Sequence, residues 1–346
     1  METSSLKYWF YKILLSKDSL KDYSSYISLC YHYLRQNKES DPFPRILGIN
    51  IDEFQTHIKM LQKNYHVISL KDALSVSTGK DVFTKKNTGV LLTFDDGLSD
   101  HYTAAKILSE LGVSATFFVP TCILDEQLPA NPIIIHYALA VFGIDRFLKE
   151  FREILVNHKL DSKLFDLKYS KSKDNSWETI SRIKSIFKYK LGYHKSRSIL
   201  LEIYENLFSS EYKNMLEIIH LNEHKIRKML EMGHNIGTHT HSHISVAGNE
   251  LDPDSFTKEM VTPKHFLEQK FNTKINSFSY PFGGKDDYLP TSELIKKTNE
   301  YAMGFTIEPI LNTKNTPQFE LGRYSVHSTD TSFKLNSIIQ NITNKN

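Results

Sequence analysis

The sequence predicts an α/β fold with a mostly parallel sheet, either open or closed into a barrel. Three observations lead there. Apolar runs of strand length alternate with segments of helical periodicity, and polar clusters fall at the carboxyl ends of predicted strands. At 346 residues the chain is also long enough for one large α/β domain plus an insertion.

The elements follow in order. Trp9, Phe10, Ile13 and Leu14, interleaved with Lys7, Lys12 and Lys17, suit a short basic amphipathic helix over residues 1–25, docked on the body or lying on a membrane. YISLCYHYL, Tyr26 to Leu34, reads as a buried strand, closed by the polar loop RQNKESDPFP. Ile51, Phe54, Ile58 and Leu61 repeat at helical spacing, and HVISL is a second short strand. After the polar loop Ser77 to Gly89 comes VLLTFDDG, the clearest strand of all. The helix HYTAAKILSELG ends on Gly112, a residue suited to the left-handed position after a helix, and SATFFVP returns as a strand.

Residues 125–222 change character. Tyr, Phe, Leu and Lys recur at helical intervals around a polar break, KYSKSKDNSWE, which predicts a helical insertion. Alternation resumes with the helix HKIRKMLEMG, the strand-like HNIGTHT, a helix in SFTKEMVTPKHFLEQKFN and the strand SFSYPFG. A short helix at SELIKKTN and the segments YAMGFTI and FELGRYSV complete the fold to residue 333. The Asn- and Lys-rich tail, 334–346, reads as a frayed helix.

Composition narrows the function. Lys+Arg 43 against Asp+Glu 40 leaves a formal charge of only +3, which gives no electrostatic case for a nucleic-acid partner. Cys30 and Cys122 are too few for a disulfide framework and lack metal-ligand spacing; they read as buried strand residues and lean towards a reducing compartment. No stretch reaches the roughly 18 to 20 apolar residues of a spanning helix, and the N-terminus makes a poor secretory signal. The expected location is cytoplasmic, with peripheral contact on the inner membrane face as an option for the N-terminal helix.

The chemistry gathers in TFDDG, GTHTHSH and SYPFGG, each at a strand's carboxyl end, where α/β folds bind ligands. Asp95 and Asp96 side by side would repel unless a cation sits with them. His239 and His243, four apart, are spaced to face the same way on one turn, with His241 turned aside. Two imidazoles and one carboxylate make the open three-ligand site of catalytic zinc, and the second carboxylate stands free to take a proton from water. The same donors suit Fe(II), so the metal's identity stays open.

At these motifs the sequence resembles the metal-dependent polysaccharide deacetylases of carbohydrate esterase family four. T-F-D-D-G is present as Thr93 to Gly97, and H-[ST]-x-x-H as His239 to His243. The resemblance implies a distorted (β/α)7 barrel, Asp95 as general base, and Asp96, His239 and His243 as ligands of Zn2+ or of Co2+, Ni2+ or Fe2+. The third motif, usually R-x-P-Y-G, departs: Tyr280, Pro281, Phe282 and Gly283 keep its frame while Ser279 replaces the arginine. Arg323 in LGRYSV is the candidate substitute, and the Phe282 amide the expected oxyanion donor. The motif that supplies the general acid is missing from the C-terminal end. LCYHYL is similar to its permuted form in biofilm poly-N-acetylglucosamine deacetylases, which makes His32 the acid and His327 its competitor.

The expected reaction is hydrolysis of an N-acetyl group on a nucleotide-linked, lipid-linked or oligosaccharide sugar, in surface polysaccharide or glycolipid biosynthesis. Deformylation of a lipid-linked amino sugar and a catalytically retired carbohydrate-binding module are the alternatives. The insertion is expected to cap the sugar.

Overall fold

The computed structural model describes residues 24–36, 39–80, 82, 88–161, 165, 176–208 and 215–344. The N-terminal helix expected before Tyr26 lies, up to residue 23, outside the described residues.

Seven parallel strands form the barrel wall: β1 Tyr26–Tyr31, β2 Gly89–Phe94, β3 Thr116–Val119, β4 Asn235–Thr238, β5 Ser277–Ser279, β6 Met303–Phe305 and β7 Arg323–Ser325. Their order is β7, β1, β2, β3, β4, β5, β6. A parallel bridge between Phe305 and Leu321, two residues ahead of β7, brings the ends of that row together and nearly closes the barrel. The short strand His66–Ile68 pairs with the start of β2 on the flank that β3 takes further along.

β1 and β2 are buried at every residue, the condition under which parallel strands read as continuous apolar runs. Each large apolar side chain taken out of water there contributes about 1.5–3 kcal/mol. Phe94 stacks on Tyr31 at 5.3 Å and on Phe117 at 4.6 Å, so aromatic rings of three neighbouring strands form one layer between sheet and helices.

Four expectations need correction. The strand expected over Tyr26–Leu34 ends at Tyr31; His32 and Tyr33 leave the sheet before Leu34–Arg35 pairs with Ile49–Asn50. Cys122 is buried but sits on a 3-10 turn, Thr121–Ile123, because Pro120 has no N–H to continue β3. The helix expected at Ser292 begins at Lys285: Asp286 and Asp287 favour its first turn, while Pro290 inside it masks that start in the sequence. The tail forms a regular helix, Ser332–Asn344, which buries Leu335 and Ile339 against Ile51–Asn64.

Between β3 and β4 the chain makes the helices Asn131–Asn157, Ser176–Ser185 and Tyr193–Phe208. Gly143, at φ 79°, kinks the first of them. Phe147, Phe151 and Phe187 pack against one another there, continuous with the core of the barrel. No helix among the described residues is long and apolar enough to cross a membrane.

Candidate active site

β2 ends in the turn that carries both aspartates. The Asp95 amide still donates to Tyr31 O at 3.0 Å, after which Asp96 turns to φ 81° and Gly97 to φ 57°. A Cβ on Gly97 would stand 3.1–3.2 Å from Ile123, Pro120 and Val119, so a side chain there meets strained backbone and a tight wall together. Beyond the turn the two carboxylates take different partners, Arg323 for Asp95 and the two histidines for Asp96.

Asp96 meets the histidines. Its Oδ1 lies 2.9 Å from His243 Nε2 and 3.4 Å from His239 Nε2. All three side chains are almost fully buried, and one donor atom from each lies within 4.8 Å of the others. Yet Asp96 Oδ1 is a buried oxygen with no hydrogen bond of acceptable geometry. Burial works to raise the Asp96 carboxyl, and the two imidazoles outweigh it and hold it well below the ordinary value. Burial, with His239 adding to it, lowers His243. An anionic carboxylate and a neutral imidazole are the forms a metal ion requires, so the residues fit a divalent cation.

Asp95 is held apart from this centre. Its Oδ1 and Oδ2 accept from Arg323 Nη1 and Nη2, both at 2.7 Å, a bidentate pair in the interior. Arg323 is fully buried, donates through Nε to Thr306 O at 2.8 Å, and reaches Thr93 Oγ1 at 3.2 Å. Burial alone would raise Asp95; the guanidinium overrides it and holds the carboxyl far down. Arg323, the candidate substitute for the motif arginine, thus reaches Asp95 from β7.

Ser279, which stands where that arginine was expected, links the two halves. Its hydroxyl is 3.2 Å from Asp95 Oδ1 and 2.6 Å from His239 Nδ1, while its carbonyl lies 2.9 Å from the same nitrogen. A tautomer with its proton on Nδ1, directed at Ser279, frees Nε2 of His239 to hold a cation.

His32 is half buried on the cavity wall, its Nδ1 3.9 Å from Cys30 Sγ. Cys30, His32 and Asp95 also bring donor atoms within 4.8 Å, but the guanidinium on Asp95 leaves no electrostatic case for a second cation. His327 is exposed and is not among the cavity-lining residues. Phe282, at φ 66°, lays its ring edge-on to His243 at 5.1 Å, and its amide donates to no group among the described residues. Gly283 is pressed against Ile307, whose amide it accepts; Tyr280 is buried and donates to Phe319 O at 2.9 Å.

Other participants had no motif to betray them. The buried carboxylate of Glu259 accepts from His241 N, Ser242 N and Ser242 Oγ at 2.8–3.0 Å, and from Tyr193 Oη at 2.9 Å. His241 is indeed turned aside, to Thr121 Oγ1 and to Glu126. Ser279 was visible only as a departure, and Glu259 sits in an ordinary amphipathic run.

Residues 208–301 match the family model described as Polysaccharide deacetylase. YxkH of Bacillus subtilis (strain 168), classed by its name with the polysaccharide deacetylases, is 30% identical over 107 residues, 31% of this chain and 37% of that protein. Among solved structures, the deacetylase PplD of Streptococcus pyogenes, in complex with acetate, is 16% identical, covering 91% of this chain and 98% of its own, with a TM-score of 0.56. IcaB from Ammonifex degensii is likewise 16% identical over 92% of this chain and 98% of its own, at 0.55. These two likenesses bear out the (β/α)7 barrel, and together with the sequence matches they bear out the resemblance read from the motifs.

Proposed function

We propose that this chain, similar to the polysaccharide deacetylases in motif, family model and fold, is a metal-dependent carbohydrate N-deacetylase. The observation that carries the reading is one juxtaposition: Asp96, His239 and His243 converge on a point beside an Asp95 held by Arg323. Those three residues would hold Zn2+, or another divalent transition metal such as Co2+, Ni2+ or Fe2+. A cation so held supplies Lewis-acid polarisation of an amide carbonyl and makes water acidic enough to lose a proton near neutral pH.

The remaining chemistry belongs to side chains and backbone. Asp95 is the general base: Arg323 engages both oxygens and keeps the carboxylate ionised, Ser279 takes a second lone pair of Oδ1, and Oδ2 keeps one for a water proton. The Phe282 amide donates to the oxygen that gains charge as the carbonyl carbon becomes tetrahedral, a contribution of roughly 3–4 kcal/mol for a well-placed donor. His32 delivers a proton to the amide nitrogen, because an amine anion is too poor a leaving group. Acetate and a free amino sugar result. Surface polysaccharide or glycolipid biosynthesis is the setting we favour.

The test is acetate release from N-acetylated sugars, followed by mass spectrometry of the sugar. Loss of one acetyl mass, abolished by chelator and restored by Zn2+ or Co2+, is the expected result. Metal-loaded protein that releases neither acetate nor formate from free, oligomeric, nucleotide-linked or lipid-linked substrates would refute the reading.

A further inference from the structure

A cavity of about 230 Å³ lies over the three metal-site residues. Barrel residues make its floor, and the helices between Asn131 and Phe208 make the opposite wall. That volume is small beside the roughly 300–1,000 Å³ of ordinary ligand pockets, so it suits one sugar better than a run of polymer. Pro132, Ile135, Phe187 and Leu200 from the helices face Phe282 and Ile307 from the barrel, and give the interior an apolar lining.

The charges around it cancel in pairs, with two exceptions, Asp96 at the floor and Lys184. Asp95 is matched by Arg323. Lys188 sits 2.9 Å from Asp287 Oδ2 and 4.0 Å over the Phe282 ring, a contact that fastens the helical wall to the SYPFG loop. Lys184, one helical turn before it, also lines the cavity, stays exposed to solvent, and makes no hydrogen bond or ion pair among the described residues. With a divalent ion at the floor, the ion's two charges exceed the single charge of Asp96, and Lys184 adds another at the mouth. The pocket is then positive at both ends, which favours an anionic ligand and disfavours a neutral one.

We propose that the cavity takes an N-acyl sugar end-on and that a phosphate attached to that sugar is seated by Lys184 at the mouth. The identity of the sugar's acyl group rests on the N-deacetylase reading; the anion seat does not. A nucleoside diphosphate and a lipid phosphate present the same chemistry there, and both leave the remainder of the molecule outside the small cavity.

Calorimetric titration of the metal-loaded full chain tests this with N-acetylglucosamine, its 1-phosphate, and its uridine diphosphate and decyl phosphate esters. At least one phosphorylated sugar is expected to bind about five- to tenfold more tightly than the neutral sugar. Lys184→Glu should erase that preference and Lys184→Arg should keep it, and the tighter ester identifies the carrier. Equal affinity for neutral and phosphorylated sugars, or a preference that survives Lys184→Glu, overturns the proposal. If the Lys184-dependent preference holds while no sugar loses its acyl group, the anion seat stands and the N-deacetylase reading falls instead.

Discussion

Asp95 and Arg323 form a costly pair to break. Both side chains are out of water, so each charge depends on the other for the solvation it has lost. Arg323→Ala is expected to destabilise the fold by about 3–5 kcal/mol, read as a lower midpoint in denaturant titration, because it strands a buried carboxylate. A loss under 1 kcal/mol would mean that water reaches the pair. Asp95→Asn keeps the shape and removes the base: turnover should fall at least about a hundredfold while metal content is unchanged. Near-normal turnover in that variant would reassign the base.

Between single residues and the barrel stands the loop His239–His243, which is not a helical turn. Thr240 and His243 both have positive φ, at 59° and 61°, and this alternative backbone brings the two imidazoles to a ring separation of 4.5 Å. Strain of that kind persists only when neighbours over-determine it. Here Glu259 does so, accepting from the His241 and Ser242 amides while it also receives the Tyr193 hydroxyl from the helical wall. Glu259→Gln should therefore weaken metal affinity by about tenfold with little change in secondary structure, as measured by competition with a chromophoric chelator and by circular dichroism. Unchanged affinity would show that the loop holds its shape without this carboxylate.

At the scale of the whole molecule, buried histidines tie the layers together as neutral groups. His220 accepts from the Ala130 amide and donates to Gly97 O, which joins the helical segment to the aspartate turn; His101 donates to His32 O. Burial lowers both to about 4 from an ordinary 6.5. The unfolded chain takes up protons below 6.5 and the folded chain does not until about 4. Their contribution is thus fully present above pH 6.5 and lost as pH falls towards 4, by up to about 1.4 kcal/mol per pH unit for each histidine. Urea titrations at pH 7, 6 and 5 should record that decline, with a shallower slope in a His220→Gln variant. A stability that is flat over this range would contradict the buried neutral state.

What the sequence determined by itself is what lies close together along the chain. Strand and helix alternation, the TFDDG turn and the His239/His243 spacing are local patterns, set by periodicity and by a few residues of fixed backbone preference. Even the departure at Ser279 was legible there, along with the demand for a cation that two adjacent carboxylates make. Only the tertiary structure decided which groups from distant segments answer one another: Arg323 across the barrel to Asp95, Glu259 beneath the histidine loop, Lys184 over the cavity. The physical reason is that a buried charge must find its partner wherever folding delivers one, and the ring of parallel strands delivers partners from positions that no window along the chain contains.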